Sequence, residues 1–136
     1  MTSGSYSGEA WEDIAQPIIA RFWAIAGSGA ASPVTTEGNL ITQADVSSIA
    51  VRVFDADKSQ IGSTLTPSAS STVFDTLQTS GTWGNLKDGG NFRYTVPGTY
   101  FPIGGTTNRV EVVITLADGN KLPAVWNLAV NEMLSS

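Results

Sequence analysis

Apolar positions recur with a period of two along much of this chain, most clearly between residues 109 and 130. Val110, Val112, Ile114 and Leu116 fall on one face of a strand, because successive strand side chains point to opposite sides. Leu122, Ala124, Trp126, Leu128 and Val130 repeat the pattern after Asp118-Gly119-Asn120, three residues suited to a turn. The stretch therefore predicts a β-hairpin, the element around which the rest is organised. A three-residue loop over 118–120 would set Leu116 by Leu122, Ile114 by Ala124, Val112 by Trp126 and Val110 by Leu128. A two-residue Asp-Gly loop would instead oppose Ile114 to Pro123 and Val110 to Asn127. Since a one-residue slip turns every side chain to the other face, the apolar matching favours the longer loop, with Asn120 in the left-handed conformation.

The same reading extends along the chain. Residues 1–13 are rich in Ser, Gly and Thr and predict an extended or mobile arm, with Trp11 its one large aromatic. Residues 14–26 alternate on two apolar faces and predict a strand, with Pro17 at its start or on an edge. Residues 27–40 read as a loop. Its Gly27-Ser28-Gly29 is no phosphate cradle, lacking a third glycine at the right spacing and a helix after it. Thr42 with Asp45 three residues on marks a single helical turn. Ile49, Val51 and Val53 define one face of a strand over 49–55, with Arg52 near the exposed side. Residues 60–66 suggest a short return strand and residues 67–71 a linker. A strand ending near Phe74 is expected next, with Asp75 and Thr76 in a turn. Residues 79–90 form a loop around Trp83, and Phe92, Tyr94 and Val96 mark a half-buried strand that Pro97 ends. Residues 98–108 are turn-rich around Tyr100, Phe101 and Ile103. The tail is polar. These segments amount to about six to eight short strands with turn signals roughly every 8–12 residues, the signature of an antiparallel β-sandwich. An immunoglobulin-like topology is expected first and a jelly roll second. The domain boundaries expected are 1–13 for the arm, 14–131 for the sandwich and 132–136 for the tail.

Composition narrows the chemistry. The chain has 136 residues, a common size for one domain, with 41% hydrophobic and only 14% charged residues. A net charge of −5 with seven scattered basic residues argues against nucleic acid and against an anionic membrane surface. The longest apolar-leaning run, residues 17–26, is interrupted by Arg21 and falls short of the roughly 20 residues that cross a bilayer. No secretory signal is visible, since the start is polar and acidic. There is no Cys and no His. Disulfides, Cys- or His-ligated zinc, Cys-His pairs and Ser-His-Asp triads are therefore ruled out. The spacing Asp55-Ala56-Asp57-Lys58-Ser59 resembles the start of a calcium loop. However, Gln60 stands where that loop needs glycine, and Thr66 where it needs glutamate, so a solvated turn is expected. No carboxylate pair is singled out for catalysis: Asp55 and Asp57 lie in a turn, and Glu111 points away from the hairpin's apolar face. No enzyme activity, cofactor or metal is expected.

One resemblance adds to this. Thr42-Gln43-Ala44-Asp45-Val46 and Val51-Arg52-Val53-Phe54-Asp55 come first. Asp75-Thr76-Leu77-Gln78, Trp83, Gly90-Asn91-Phe92, Pro97, Phe101-Pro102 and Arg109-Val110-Glu111-Val112 follow in order. Over roughly residues 40–130 this series resembles small β-rich structural proteins of tailed bacteriophages. The resemblance implies a virion component without catalytic residues: a capsid decoration or cement protein, or else a neck, tail or fibre-associated module. It also implies the major capsid protein or other virion proteins as partners, self-association, and residence in the virion after assembly in the host cytoplasm. Candidate partner-contact residues are Trp11, Trp83, Tyr100 and Phe101, because aromatics are enriched at interfaces. A carbohydrate-binding or adhesion module is the alternative, with Trp83, Tyr94, Tyr100 and Phe101 as stacking rings; the bland reading of these rings is core and loop packing.

Overall fold

The computed structural model describes residues 4–24, 39–81, 83 and 89–134. Its strands are β1 (Gly4–Trp11), β2 (Gln16–Ala20), β3 (Trp23–Ala24), β4 (Asn39–Leu40), β5 (Val46–Phe54), β6 (Gln60–Leu65), β7 (Val73–Gln78), β8 (Gly90–Val96), β9 (Thr106–Leu116) and β10 (Lys121–Asn131). One helical turn, α1 (Ala69–Thr72), links β6 to β7, and 3-10 turns cover Gln43–Asp45 and Gly98–Tyr100. Five strands form one sheet in the order β1-β10-β9-β5-β6, and three form a second in the order β2-β8-β7. The two sheets pack together as an all-β sandwich, with β3 and β4 as a separate short ribbon.

The alternation in β9 and β10 builds the core as expected. Val110, Val112, Ile114 and Leu116 are buried on the same face as Leu122, Ala124, Trp126 and Leu128, beside Ile49, Val51 and Val53 of β5. Ile18 and Ala20 of β2 and Phe92 and Val96 of β8 close the core from the other sheet. Phe22 meets Phe92 edge to face at 5.4 Å.

The hairpin register differs from both sequence alternatives. Leu122 pairs with Ile114, Ala124 with Val112 and Trp126 with Val110, so the return strand is shifted by two residues from the expected match. A shift of two preserves the faces, which is why the apolar pattern could not detect it. The turn decides. Leu116 donates its N–H to the Asn120 carbonyl (2.8 Å), closing a loop over Ala117-Asp118-Gly119. Gly119, at φ 91°, takes the left-handed position that had been assigned to Asn120. The Asp118 carboxylate accepts the Asn120 backbone N–H (2.9 Å) and side-chain amide (2.8 Å).

Further expectations need correction. The expected arm over 1–13 is, from Gly4 on, the edge strand β1, paired in parallel with β10 from Gly4/Ala124 to Trp11/Asn131. Tyr6, Gly8 and Ala10 point inward: Tyr6 stacks on Trp126 at 5.2 Å and Ala10 is fully buried. The sandwich therefore begins before residue 14; residues 1–3 lie outside the described residues. The strand expected over 14–26 breaks at Arg21-Phe22, and its last part, Trp23–Ala24, pairs with Asn39–Leu40 in β4. Residues 25 and 26, most of the 27–40 loop with its Gly27-Ser28-Gly29, and residues 82 and 84–88 of the Trp83 loop lie outside the described residues, as do 135 and 136. The linker over 67–71 contains most of α1, and β7 runs to Gln78 through the turn expected at Asp75-Thr76.

Two local readings hold. Thr42 donates its backbone N–H to Asp45 Oδ2 (2.9 Å) at the start of the single turn. Residues 55–59 form the turn joining β5 and β6, where Asp55 Oδ1 accepts the N–H groups of Asp57 and Ser59 (2.9 Å each).

Candidate docking surface

Among the described residues, six large hydrophobic side chains are exposed: Trp11, Ile14, Leu77, Ile103, Met133 and Leu134. Five of the six belong to segments tied together at one end of the sandwich. The Asp13 N–H donates to the Phe101 carbonyl (2.9 Å), and the Glu12 N–H to the Asn131 carbonyl (3.0 Å). The Glu12 carboxylate then accepts the Gly104 N–H on one oxygen (3.0 Å) and the Met133 N–H on the other (3.2 Å). One side chain thus staples the β1–β2 link, the β8–β9 connection and the chain after β10. Residue 104 must be glycine for this approach, because a Cβ there would collide with the Glu132 backbone.

Trp11, Ile14, Ile103, Met133 and Leu134 flank those hydrogen bonds within two residues. Ile103 is 62% exposed and Leu134 94%, while Trp11 and Ile14 are each about half exposed. A large apolar group left in water forgoes roughly 1.5–3 kcal/mol of transfer free energy, so a cluster of them marks a contact surface more than isolated ones do. The Glu12 carboxylate at this end is committed to holding the backbone together, while Asp13 and Glu132 are exposed beside it. The pole is therefore a set of exposed apolar side chains on a hydrogen-bonded frame, with two carboxylates at its margin.

The four aromatic candidates from the sequence do not come together. Trp11 alone belongs to the pole. Trp83 is 6% exposed and packs edge to face on Phe74 at 5.3 Å. Phe101 is fully buried. Tyr100 is half-buried, its ring over Gly62 and its hydroxyl donating to the Ser63 carbonyl (3.0 Å). Trp83 and Phe101 are thus interior residues, unable to contact a partner directly, and Tyr100 is engaged with β6. The same burial dismantles the proposed sugar platform, leaving Tyr94 and Tyr100 half-buried. Ile14, Ile103, Met133 and Leu134 were missed because isolated apolar residues in loops carry no periodicity; only the topology gathers them.

The carboxylates also have structural duties. Glu111 pairs with Arg109 at 2.6 Å in a groove of about 350 Å³ that Asp55 and Lys58 also line. Asp55 is already engaged by two backbone N–H groups. Among the described residues, no helix is long and apolar enough to cross a membrane.

Asn91 is a second residue whose weight the sequence did not reveal. Strand alternation sets it on the face opposite Phe92, Tyr94 and Val96, with Arg93 and Thr95, yet it is fully buried. Its Oδ1 accepts the Phe22 N–H (2.7 Å), and its amide donates to the carbonyls of Phe22 (3.0 Å) and Ile41 (3.1 Å). It pins β8 to the chain on both sides of the β3–β4 ribbon. Compared with protein-family models, curated proteins and solved structures, the chain matches none.

Proposed function

We propose that this chain is a non-enzymatic structural protein of a tailed-phage virion, a decoration or cement module that docks on the capsid surface through its apolar pole. The clustering of Trp11, Ile14, Ile103, Met133 and Leu134 at one end carries the reading. It supplies what such a module needs: a surface that gains by being covered, on a frame fixed by Glu12. The ordered resemblance over residues 40–130 supports the virion setting, and the low charge fits a body whose surface is largely contacted by neighbours. A protein that binds the assembled shell and not the loose subunits stabilises the shell by mass action, and many copies multiply a modest contribution from each. Partners in this reading are the major capsid protein and other copies of the chain, with no role for nucleic acid, membrane or cofactor.

The fold belongs to the same proposal. We read the sandwich as immunoglobulin-like, supported by the order of its strands. β2, β8 and β7 stand where the B, E and D strands of that architecture stand, and β5, β9 and β10 where C, F and G do. β6 extends the second sheet, β1 joins it beside β10, and the β3–β4 ribbon is an addition between the second and third positions. A jelly roll would instead pair eight strands as two Greek keys.

Quantitative mass spectrometry of purified particles tests the assignment. A copy number near that of the major shell protein, or a simple fraction of it, is expected. A handful of copies would move the module to the neck, tail or fibres. Absence from the particle would overturn the virion reading.

A further inference from the structure

We propose that β1 is a self-docking edge, through which two copies of this chain join their larger sheets by antiparallel pairing of β1 with β1, centred on Ser7. The inference stands apart from the virion reading, because it concerns isolated chains in solution.

The sandwich has four sheet edges: β1, β6, β2 and β7. An exposed edge offers unpaired N–H and C=O groups to any other chain, and proteins blunt such edges where pairing is unwanted. β2 is blunted in several ways. Pro17 brings no N–H, and its carbonyl accepts Gln16 Nε2 (3.0 Å). The Ile19 carbonyl accepts Trp126 Nε1 (3.3 Å), and the Arg21 N–H just beyond β2 reaches the Tyr6 hydroxyl (3.5 Å). β6 is interrupted by a register shift between Val51 and Val53 of its neighbour. β7 is irregular too, pairing with β8 at Val73/Phe92 and Gln78/Gly90 with a shift between.

β1 has none of these devices. Its eight pairs with β10 run without a bulge, and it contains no Pro and no Lys. The backbone groups of Ser5 to Ala10 that point away from β10 have no hydrogen-bond partner among the described residues. Among the described residues, β2 is capped, β6 and β7 are irregular, and β1 alone is regular with its outer backbone groups unpaired.

The sequence of β1 selects its occupant. A twofold axis normal to the sheet keeps outer residues opposite outer residues. Centred on Ser7, it sets Ser7 opposite Ser7, Ser5 opposite Glu9 of the second copy, and Tyr6 opposite Gly8. A hydroxyl then meets a carboxylate, and an aromatic ring covers a glycine, a pairing known to rescue glycine in sheets. The one charged residue of the strand, Glu9, avoids its own counterpart, whereas like charges directly opposite would destabilise the pair. The strand is self-complementary. The twofold also turns the two apolar poles to opposite ends, so the pair is a divalent connector.

The natural chain has no cysteine, which makes the register directly readable. Opposed Cα atoms in an antiparallel pair lie about 4.5–5.5 Å apart, within disulfide reach. Ser7→Cys in the full chain is expected to give a covalent dimer under mild oxidation. Ser5→Cys should not, since its counterpart lies roughly 13 Å along the strand. In sedimentation equilibrium at low salt, Ser7→Lys is expected to raise the dimer dissociation constant at least tenfold. Ser5→Lys should lower it by setting an ammonium against Glu9. Both positions are exposed, so melting temperatures should stay at the wild-type value. A chain that remains monomeric at every concentration, equal cross-linking at positions 5 and 7, or tighter pairing of Ser7→Lys would each overturn the proposal.

Discussion

At the scale of single residues, buried polar groups decide more than exposed ones. Asn91 satisfies three backbone groups that no water reaches, two on Phe22 and one on Ile41. Replacing it by Leu keeps the branching and the number of heavy atoms but strands all three. At about 1–3 kcal/mol for each unsatisfied buried group, partly relieved by relaxation, Asn91→Leu is expected to cost about 3 kcal/mol or more in urea unfolding. A change below about 0.5 kcal/mol would show that the peg is dispensable. Tyr6 gives a pH-dependent counterpart. Desolvation by burial raises its pKa above the usual value of 10.0, outweighing the Arg21 N–H and the Arg21 charge, which pull it down. The unfolded chain therefore loses this proton first as pH rises. The associated stability is fully present below about pH 10 and is lost as pH climbs through the raised folded value. Tyr94, raised first by burial and then by Tyr100, acts in the same direction. Tyr6→Phe keeps the ring on Trp126, so it should cost little at pH 7 and should flatten the fall in melting temperature between pH 9 and 11. An unchanged alkaline slope in the variant would contradict this assignment.

At the scale of elements, the faces of strands were legible and their partners often were not. Alternation placed Val110, Val112, Ile114 and Trp126 in the core, since period two has one physical meaning on a pleated sheet. It could not separate two registers that differ by two residues. Turn chemistry separates them, and Gly119 carries it. Gly119→Ala is expected to destabilise the hairpin by about 1 kcal/mol, because an L-residue at φ 91° is strained. Asn120→Ala should cost less, since Asn120 is outside the left-handed region and loses only its amide contact to Asp118. A larger loss at 120 than at 119 in matched thermal melts would restore the register first expected. β1 escaped the sequence for another reason. Gly4-Ser5-Tyr6-Ser7-Gly8 has low strand propensity, and of the inward positions only Tyr6 is large, Gly8 and Ala10 being too small to register as an apolar stripe. It is a strand because β10 offers an edge, and that information is non-local. Conversely, Phe22 and Trp23 read as a continuation of β2, but the chain turns away there to form the ribbon with β4.

At the scale of the whole molecule, topology assembles surfaces that no window of sequence contains. The residues of the apolar pole are numbered 11, 14, 103, 133 and 134, and their segments come to one end because β1, the β8–β9 connection and the end of β10 converge on Glu12. The sparse charge, −5 overall, was visible from composition, as was the absence of thiol and imidazole chemistry. The pole, the pinning Asn91 and the regular pairing of β1 were not, because each depends on which strands become neighbours. Docking and folding should therefore be separable. The exposed pole side chains contribute little to the core, so replacing them should affect binding and leave stability nearly intact. The most direct test is co-sedimentation of purified chain with phage particles assembled without it, comparing wild type with a Trp11→Ser/Ile103→Ser double variant of equal melting temperature. Wild-type protein is expected to pellet at a fixed ratio to the major shell protein, with the variant left in the supernatant. Equal binding by the two, or no binding by wild type, would contradict docking through this pole.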